Sequence, residues 1–356
     1  MEHLPSLMKA YRFNPFSREF TLKDIPVPKP QPNQVLIRVL AAGVCHSDVS
    51  ALYHPDAVQL WPPLEGDTFT MGHEGAGEVV ELGSDVAKAY PNMGVGAYVA
   101  INFGCNACGM CKGGRQNLCV DHPFHGLGLD GSWAEYIAVD ASIAIPIKRD
   151  ISPEVAAVAT DAVLTPYHAM KSVGKVQAGD TILIMGCGGL GQNAIQVARN
   201  CLQAGTIIAC DIKAESLQVA KELGADFAVH PDHLPDLVQK NQITIDVAFD
   251  IVGVQTTFDQ IVNAIPSGGR IVLVGIGAHF VQFHVQVAIV KEIQILGCFW
   301  GTREEFVEVM EAISDGKITP RVESRDFKEC SEVLEDLRDG RVSGRAVIRW
   351  GYDKEV

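Results

Sequence analysis

Four cysteines, Cys105, Cys108, Cys111 and Cys119, fall within fifteen residues in the pattern C-x2-C-x2-C-x7-C. Four thiolates complete a tetrahedral shell around zinc and leave no position for a substrate, so this lobe is expected to hold a structural zinc. Gly104, Gly109, Gly113 and Gly114 give the chain freedom to wrap an ion. A zinc ribbon that grips nucleic acid is the competing reading, but the segment supplies only Lys112 and Arg115. A looser pair of ligand types is Cys45, in Gly43-Val44-Cys45-His46-Ser47-Asp48, and His73, in Gly72-His73-Glu74. Each lies at the edge of a separate β-like segment where two side chains could converge, although a lone cysteine is usually core and a lone histidine usually structural.

The third element of chemistry is Gly186-Cys187-Gly188-Gly189-Leu190-Gly191, which satisfies G-x-G-x-x-G. Its glycines suit a tight turn, close backbone approach to a pyrophosphate and close helix packing, and the free N–H groups at the start of a helix face phosphate. Asp211 stands twenty residues after Gly191, where a carboxylate accepts from the adenosine ribose hydroxyls. It would repel a 2′-phosphate, so NAD is expected over NADP, with Lys213 weakening that preference. The plainer reading of Asp211 is a strand-end or turn residue.

The elements that must carry these groups follow from apolar patterning. An apolar run Thr181–Met185 leads straight into the Gly-rich turn, followed by a helix over Leu190–Asn200, a strand over Thr206–Cys210 and a helix over Ala214–Leu223. Strand alternating with amphipathic helix means a parallel sheet with right-handed crossovers. Further strands are expected at Ile245–Asp250, Arg270–Val274 and Glu292–Gly297, and helices at Thr257–Ile265, Arg303–Ser314 and Phe327–Leu337. Before about Thr160 the texture is short apolar runs, such as Val35–Leu40 and Glu78–Leu82, broken by Gly and Pro, which reads as a β-rich, barrel-like domain.

A chain of 356 residues exceeds one hydrophobic core, so two domains are expected. A net charge of −14 repels phosphate backbones and anionic lipid surfaces, which argues against nucleic acid or membrane partners and for a small neutral one. Gly, His and Gln residues interrupt the uncharged stretch Ile271–Val290, and Met1–Phe13 carries charges and no secretory apolar run. With cysteines crowded as ligands rather than paired, a cytoplasmic, reducing location is expected.

Taken in order, Gly43 to Asp48, Gly72-His73-Glu74, the four-cysteine lobe, Thr160-Asp161-Ala162, Gly186 to Gly191 and Asp211 resemble the zinc-containing medium-chain alcohol dehydrogenases along nearly the full chain. Within that family, Thr160 to Ala169 and Trp300-Gly301-Thr302-Arg303 look like the NAD-dependent secondary alcohol dehydrogenases. The resemblance implies an α/β architecture: a GroES-like catalytic domain over 1–162 and 299–356, with the zinc lobe at 104–120, and a Rossmann domain over 163–298. It implies two zinc ions per chain, the catalytic one on Cys45, His73 and Asp161, with a fourth position open. Asp161 stands where many relatives have cysteine; its plain alternative is a helix cap. Glu74 matches a transient or outer ligand, and Asp48 the carboxylate that fixes the His73 imidazole.

By the same resemblance Ser47 is the relay hydroxyl for the alcohol proton, its alternative a turn hydroxyl. Ser50 replaces the histidine that ends this relay in many relatives, which leaves His54 or bulk water as the outer carrier. His46 and Arg345 are expected at the pyrophosphate, or else as solvated charges, and Val274 among the cofactor contacts. Trp61, Ile101, Phe103 and Trp300 are candidates for the substrate pocket, or plain core. The activity implied is reversible oxidation of a primary or secondary alcohol to an aldehyde or ketone by hydride transfer to NAD, in a homodimer or homotetramer for which the strand at Glu292–Gly297 is the pairing edge. The competing readings are a zinc-free quinone or enoyl reductase of the same fold and a non-catalytic protein on the same scaffold.

Overall fold

The computed structural model describes residues 4–54, 67–121 and 124–351. The chain forms two compact units, Met1–Thr160 with Val322–Val356, and Asp161–Arg321.

The first unit is built on a seven-stranded sheet in the order Ala144–Pro146, Tyr98–Ile101, Gly75–Leu82, Gln34–Val44, Arg345–Arg349, Val322–Asp326, with Tyr136–Asp140 also paired to Gln34–Val44. Gln34–Val44 is eleven residues long, more than the Val35–Leu40 run anticipated, because register shifts at Leu36/Ile37 and Val39/Ala41 let it bend and pair on both sides. A second, three-stranded sheet joins Phe20–Pro26, Leu7–Phe13 and Phe69–Thr70. Inward residues Val35, Ile37, Val39, Phe13, Phe69, Met71, Trp133 and Ile137 fill one core.

The second unit holds a six-stranded parallel sheet in the order Phe227–Val229, Thr206–Cys210, Thr181–Met185, Val247–Asp250, Arg270–Leu273, Gln294–Gly297. In chain order that is 3-2-1-4-5-6, the doubly wound Rossmann arrangement. Its middle strands are buried on both faces, as continuous apolar runs require. Thr181–Met185 and Thr206–Cys210 fall where the sequence places them. Helix Gly189–Gln196 ends in a wider π turn, Val197–Cys201. Among the described residues no helix is long and apolar enough to cross a membrane.

The C-terminal domain boundary differs from the sequence expectation. Residues 299–321, expected in the catalytic domain, belong to the second unit. The reason is polar as well as apolar packing by helix Arg303–Ser314: His168 Nδ1 pairs with Glu305 at 2.7 Å, and Tyr167 donates to Glu308 at 2.8 Å. The following loop continues the attachment, with Thr319 N donating to Gln196 at 2.8 Å and Asn200 donating to the Lys317 carbonyl at 2.7 Å.

Burial raises the Glu305 pKa, but bonds from His168, Ser172 and Thr302 outweigh it and hold the carboxyl down at about 2. A carboxyl lowered in the fold stabilises it above the unfolded value and loses that contribution as pH falls. Glu305→Ala is therefore expected to cost about 2 kcal/mol at neutral pH, from the lost charged hydrogen bonds. In denaturant melts the gap between wild type and variant should close as pH falls from 4.5 toward 2. A gap that does not change with pH would show that the carboxylate charge has no part in it.

Candidate functional site

Register explains how Cys45 and His73 meet. Strands Gln34–Val44 and Gly75–Leu82 are antiparallel with Ala42 opposite Gly75, so the chain leaving one at Cys45 lies beside the chain entering the other from Gly72. Gly43 N donates to the Glu74 carbonyl at 3.0 Å and extends that pairing. Gly72 has φ of 94°, and a Cβ there would lie 2.2 Å from the Trp133 ring, so only glycine fits before His73.

Cys45 precedes helix His46–Tyr53, whose first turn supplies Asp48. Asp48 is fully buried; its Oδ2 accepts from Cys45 N at 2.8 Å and its Oδ1 faces His73 Nδ1 at 3.1 Å. A carboxylate partner at Nδ1 places the ring proton there and leaves the Nε2 lone pair for a metal. Ser47 is half-buried, with Oγ 3.5 Å from His73 Nε2. His46 is exposed, as are Tyr53 and His54 at the far end of the helix, and Ser50 is half-buried.

The helical run that begins at Pro153 passes through a π turn, Ala159–Val163, that carries Asp161 one peptide bond beyond Thr160. Cys45, His73, Glu74 and Asp161 are all buried and offer ligand atoms that lie within 4.8 Å of one another. Thiolate, imidazole and carboxylate in one small volume suit zinc. Thr165, one helical turn on, donates to Asp161 Oδ1 at 2.5 Å and fixes the carboxylate. The sequence reading missed Thr165; its four-residue spacing from Asp161 was the signal.

Glu74 joins the group but is held by an arginine. Arg345 gives two guanidinium nitrogens to its carboxylate, Nε at 3.3 Å. Arg345 is 3% exposed, so it differs from the phosphate-facing arginine expected: strand Arg345–Arg349 turns it inward, where Glu74 neutralises it.

In the cysteine lobe the Cys105 and Cys111 sulfurs are 3.9 Å apart and those of Cys108 and Cys119 are 4.0 Å apart. Tetrahedral zinc with bonds of about 2.3 Å needs edges of roughly 3.8 Å, so the lobe fits that ion. Backbone donation from Cys111 lowers the Cys108 thiol to about 6, whereas burial raises Cys111 to about 12. A dication favours the thiolate at all four.

Of the residues expected at the cofactor, Gly186 to Gly191, Asp211, Lys213 and Val274 lie in the second unit. Met185 pairs with Cys210, so the Gly-rich turn and Asp211 leave the same end of the sheet together. Cys187 N donates to Asp211 Oδ2 at 2.7 Å and Lys213 N to Oδ1 at 2.9 Å, which leaves the carboxylate further acceptor positions. A Cβ on Gly191 would sit 1.9 Å from the Gly186 carbonyl, whereas one on Gly188 would meet nothing within 4 Å, the open backbone approach a pyrophosphate requires. Leu190 follows Gly189 in the first turn of helix Gly189–Gln196, and half-buried Val274 donates its N–H to the Asp250 carbonyl at 3.0 Å.

Of the expected pocket residues, Trp61 lies outside the described residues. Ile101 is part of the first unit's core. Phe103 is buried edge-on to Phe124 and lines a cavity of about 350 Å³ with Met8, Ile25, Tyr136 and Ile143, whose walls include neither Cys45 nor His73. Trp300 belongs to the second unit, buried at a left-handed φ of 48°.

Over 351 residues the chain is 31% identical to an alcohol dehydrogenase of Geobacillus stearothermophilus, covering 97% of this chain and 100% of the relative. The chain belongs to the medium-chain alcohol dehydrogenase family. Within this family assignment, residues 31–149 match the alcohol dehydrogenase GroES-like domain and residues 189–315 the zinc-binding dehydrogenase domain. Among solved structures, acetophenone reductase from Geotrichum candidum in complex with NAD is similar with a TM-score of 0.87 and 35% identity, covering 99% of this chain and 100% of that one. The alcohol dehydrogenase of the hyperthermophilic archaeon Aeropyrum pernix gives 0.87 at 30% identity, covering 96% and 99%. These similarities support an alcohol dehydrogenase function and favour neither a zinc-free reductase nor a non-catalytic scaffold.

The open and closed ligand sets should separate on mutation. Cys45→Ala is expected to lose about one zinc equivalent and nearly all turnover with its melting temperature little changed. Cys111→Ala should lose the other equivalent and melt earlier, while keeping activity in the cold. Elemental analysis beside thermal melts reads this out; equal activity loss in both variants at unchanged stability would contradict the division.

Proposed function

We propose that this alcohol dehydrogenase is zinc-dependent and NAD-linked, and interconverts a primary or secondary alcohol with its aldehyde or ketone. The observation that carries the reading is the buried convergence of Cys45, His73 and Asp161 ligand atoms within 4.8 Å. A zinc ion held there supplies Lewis acidity to the substrate oxygen. Asp48 keeps His73 in the tautomer that binds metal through Nε2. Arg345 holds Glu74 as a carboxylate at the side of the group, available as an outer ligand. Ser47 Oγ takes the hydroxyl proton and hands it outward along the first turn of its helix, toward solvent at the exposed His46 end. Asp211 orients the cofactor by accepting from both ribose hydroxyls, and the turn at Gly188 admits its pyrophosphate.

Assembly rests on apolar exposure. Strand Gln294–Gly297 is a sheet edge, and helix Val285–Lys291 beside it in sequence buries none of its residues. Phe280, Val285, Ile289 and Val290 are 65–78% exposed, a concentration that favours a second copy of the chain as partner. None of the ten cysteines is joined in a disulfide, which supports a reducing, cytoplasmic setting.

The decisive experiment pairs metal analysis with NADH absorbance across primary, secondary and aromatic alcohols. Two zinc per chain and alcohol-dependent NADH formation are expected; turnover that survives full zinc removal would overturn the reading. NAD should exceed NADP by at least about 10-fold in kcat/KM, roughly 1.4 kcal/mol. Asp211→Gly should narrow or invert that ratio, and an unaltered ratio would mean that Asp211 does not read the ribose. Light scattering should find a dimer or tetramer, and Ile289→Asp with Val290→Asp should shift it to smaller species; a wild-type monomer would refute the assembly.

A further inference from the structure

A π turn displaces the hydrogen-bond ladder of a helix and leaves carbonyls in need of other donors. Beside the turn Ala159–Val163 the Ala162 carbonyl, next to Asp161, has Pro166 four residues on, which has no N–H to offer it, and it accepts from Asn193 Nδ2 at 3.0 Å. The same nitrogen donates to the Gly189 carbonyl, also at 3.0 Å. Asn193 lies one turn into the helix that opens at Gly189, and it is 2% exposed. Because both partners are acceptors, only the NH2 end of the amide can face them, which fixes its orientation. One buried amide thus ties the backbone beside Asp161 to the backbone of the Gly-rich turn.

The Asp161 carboxylate is fixed separately, by the Thr165 hydroxyl at 2.5 Å. The adjoining Ala162 carbonyl has Asn193 as a cross-element tie. No apolar side chain could make either bond, and Asp at 193 would set carboxylate oxygens against two carbonyls.

We propose that Asn193 is a positioning residue for the metal ligand Asp161, bracing its turn against the dinucleotide-binding turn. The proposal rests on the reading of Cys45, His73 and Asp161 as a zinc site. Loss of the brace lets the π turn relax, so metal at this site is held less tightly, and it loosens the Gly189 end as well.

The test measures zinc transfer to a chromogenic chelator, the visible spectrum of the cobalt(II) form, and NADH affinity by fluorescence, in wild type, Asn193→Ala and Asn193→Ser. Asn193→Ala should weaken zinc at the three-ligand site about 10-fold, alter the cobalt spectrum there and raise the NADH Kd a few-fold, while zinc in the four-cysteine lobe is unaffected. Asn193→Ser keeps one donor and should fall between, which preserves the test if the alanine variant folds poorly. Wild-type zinc affinity and an unchanged cobalt spectrum in both variants would overturn the brace. So would equal loosening of both zinc sites with a large drop in melting temperature, which marks general destabilisation. A wild-type protein that takes up zinc only in the cysteine lobe would sink the catalytic-zinc reading and this proposal with it, and is told apart by that stoichiometry.

Discussion

The Asp48 carboxylate gives one oxygen to the backbone of Cys45 and the other to the ring of His73. It thereby joins two ligand segments that are 28 residues apart in sequence and meet only through sheet register. A buried carboxylate is costly to desolvate, and these two bonds are what make its burial tolerable. Remove it and the imidazole loses both tautomer and direction, while the turn after Val44 loses its anchor. The glycine at 72, the indole of Trp133 and the bulged strand Gln34–Val44 serve to keep those two segments at that spacing.

The two ligand groups differ in how they use the backbone. The cysteine lobe is local: its sulfurs lie on fifteen residues and organise their own turns, with Cys111 N donating to Cys108 Sγ at 3.4 Å. Its role is cohesion of one loop. Cys45, His73 and Asp161 instead come from a strand end, a strand start and a helix with a widened turn, and each has its own support in Asp48, Gly72 or Thr165. A site assembled from separate elements needs that support for every ligand, because the metal alone cannot order them.

Legibility in the sequence followed locality. Strands Thr181–Met185 and Thr206–Cys210 were readable to the residue because both are continuous apolar runs ended by a glycine turn and an aspartate. The four cysteines were readable from spacing alone, and Cys45 with His73 only after resemblance was added. Leu7–Phe13 is not announced by its sequence, because Lys9 and Arg12 break its apolar run. Helix Arg303–Ser314 joins the second unit through contacts with His168 and Tyr167 that cross more than 130 residues, which no local pattern announces. Resemblance points Arg345 toward phosphate, and nothing local announces a buried partner 271 residues away. Asn193 was invisible for the same reason.

Strand Arg345–Arg349 pairs with Gln34–Val44, so the first unit is closed by a segment made some 300 residues after the strand it joins. The second unit is one uninterrupted stretch, Asp161–Arg321. The parallel sheet can therefore form from one continuous stretch, whereas the other sheet waits for its last strand, its strand beside Cys45 still open along one edge. Glu74 waits too, a carboxylate in an unfinished interior until Arg345 arrives. The order of assembly written into this topology completes the parallel sheet from one stretch and the other interior last, so Cys45 is enclosed only when the strand that closes its sheet has arrived.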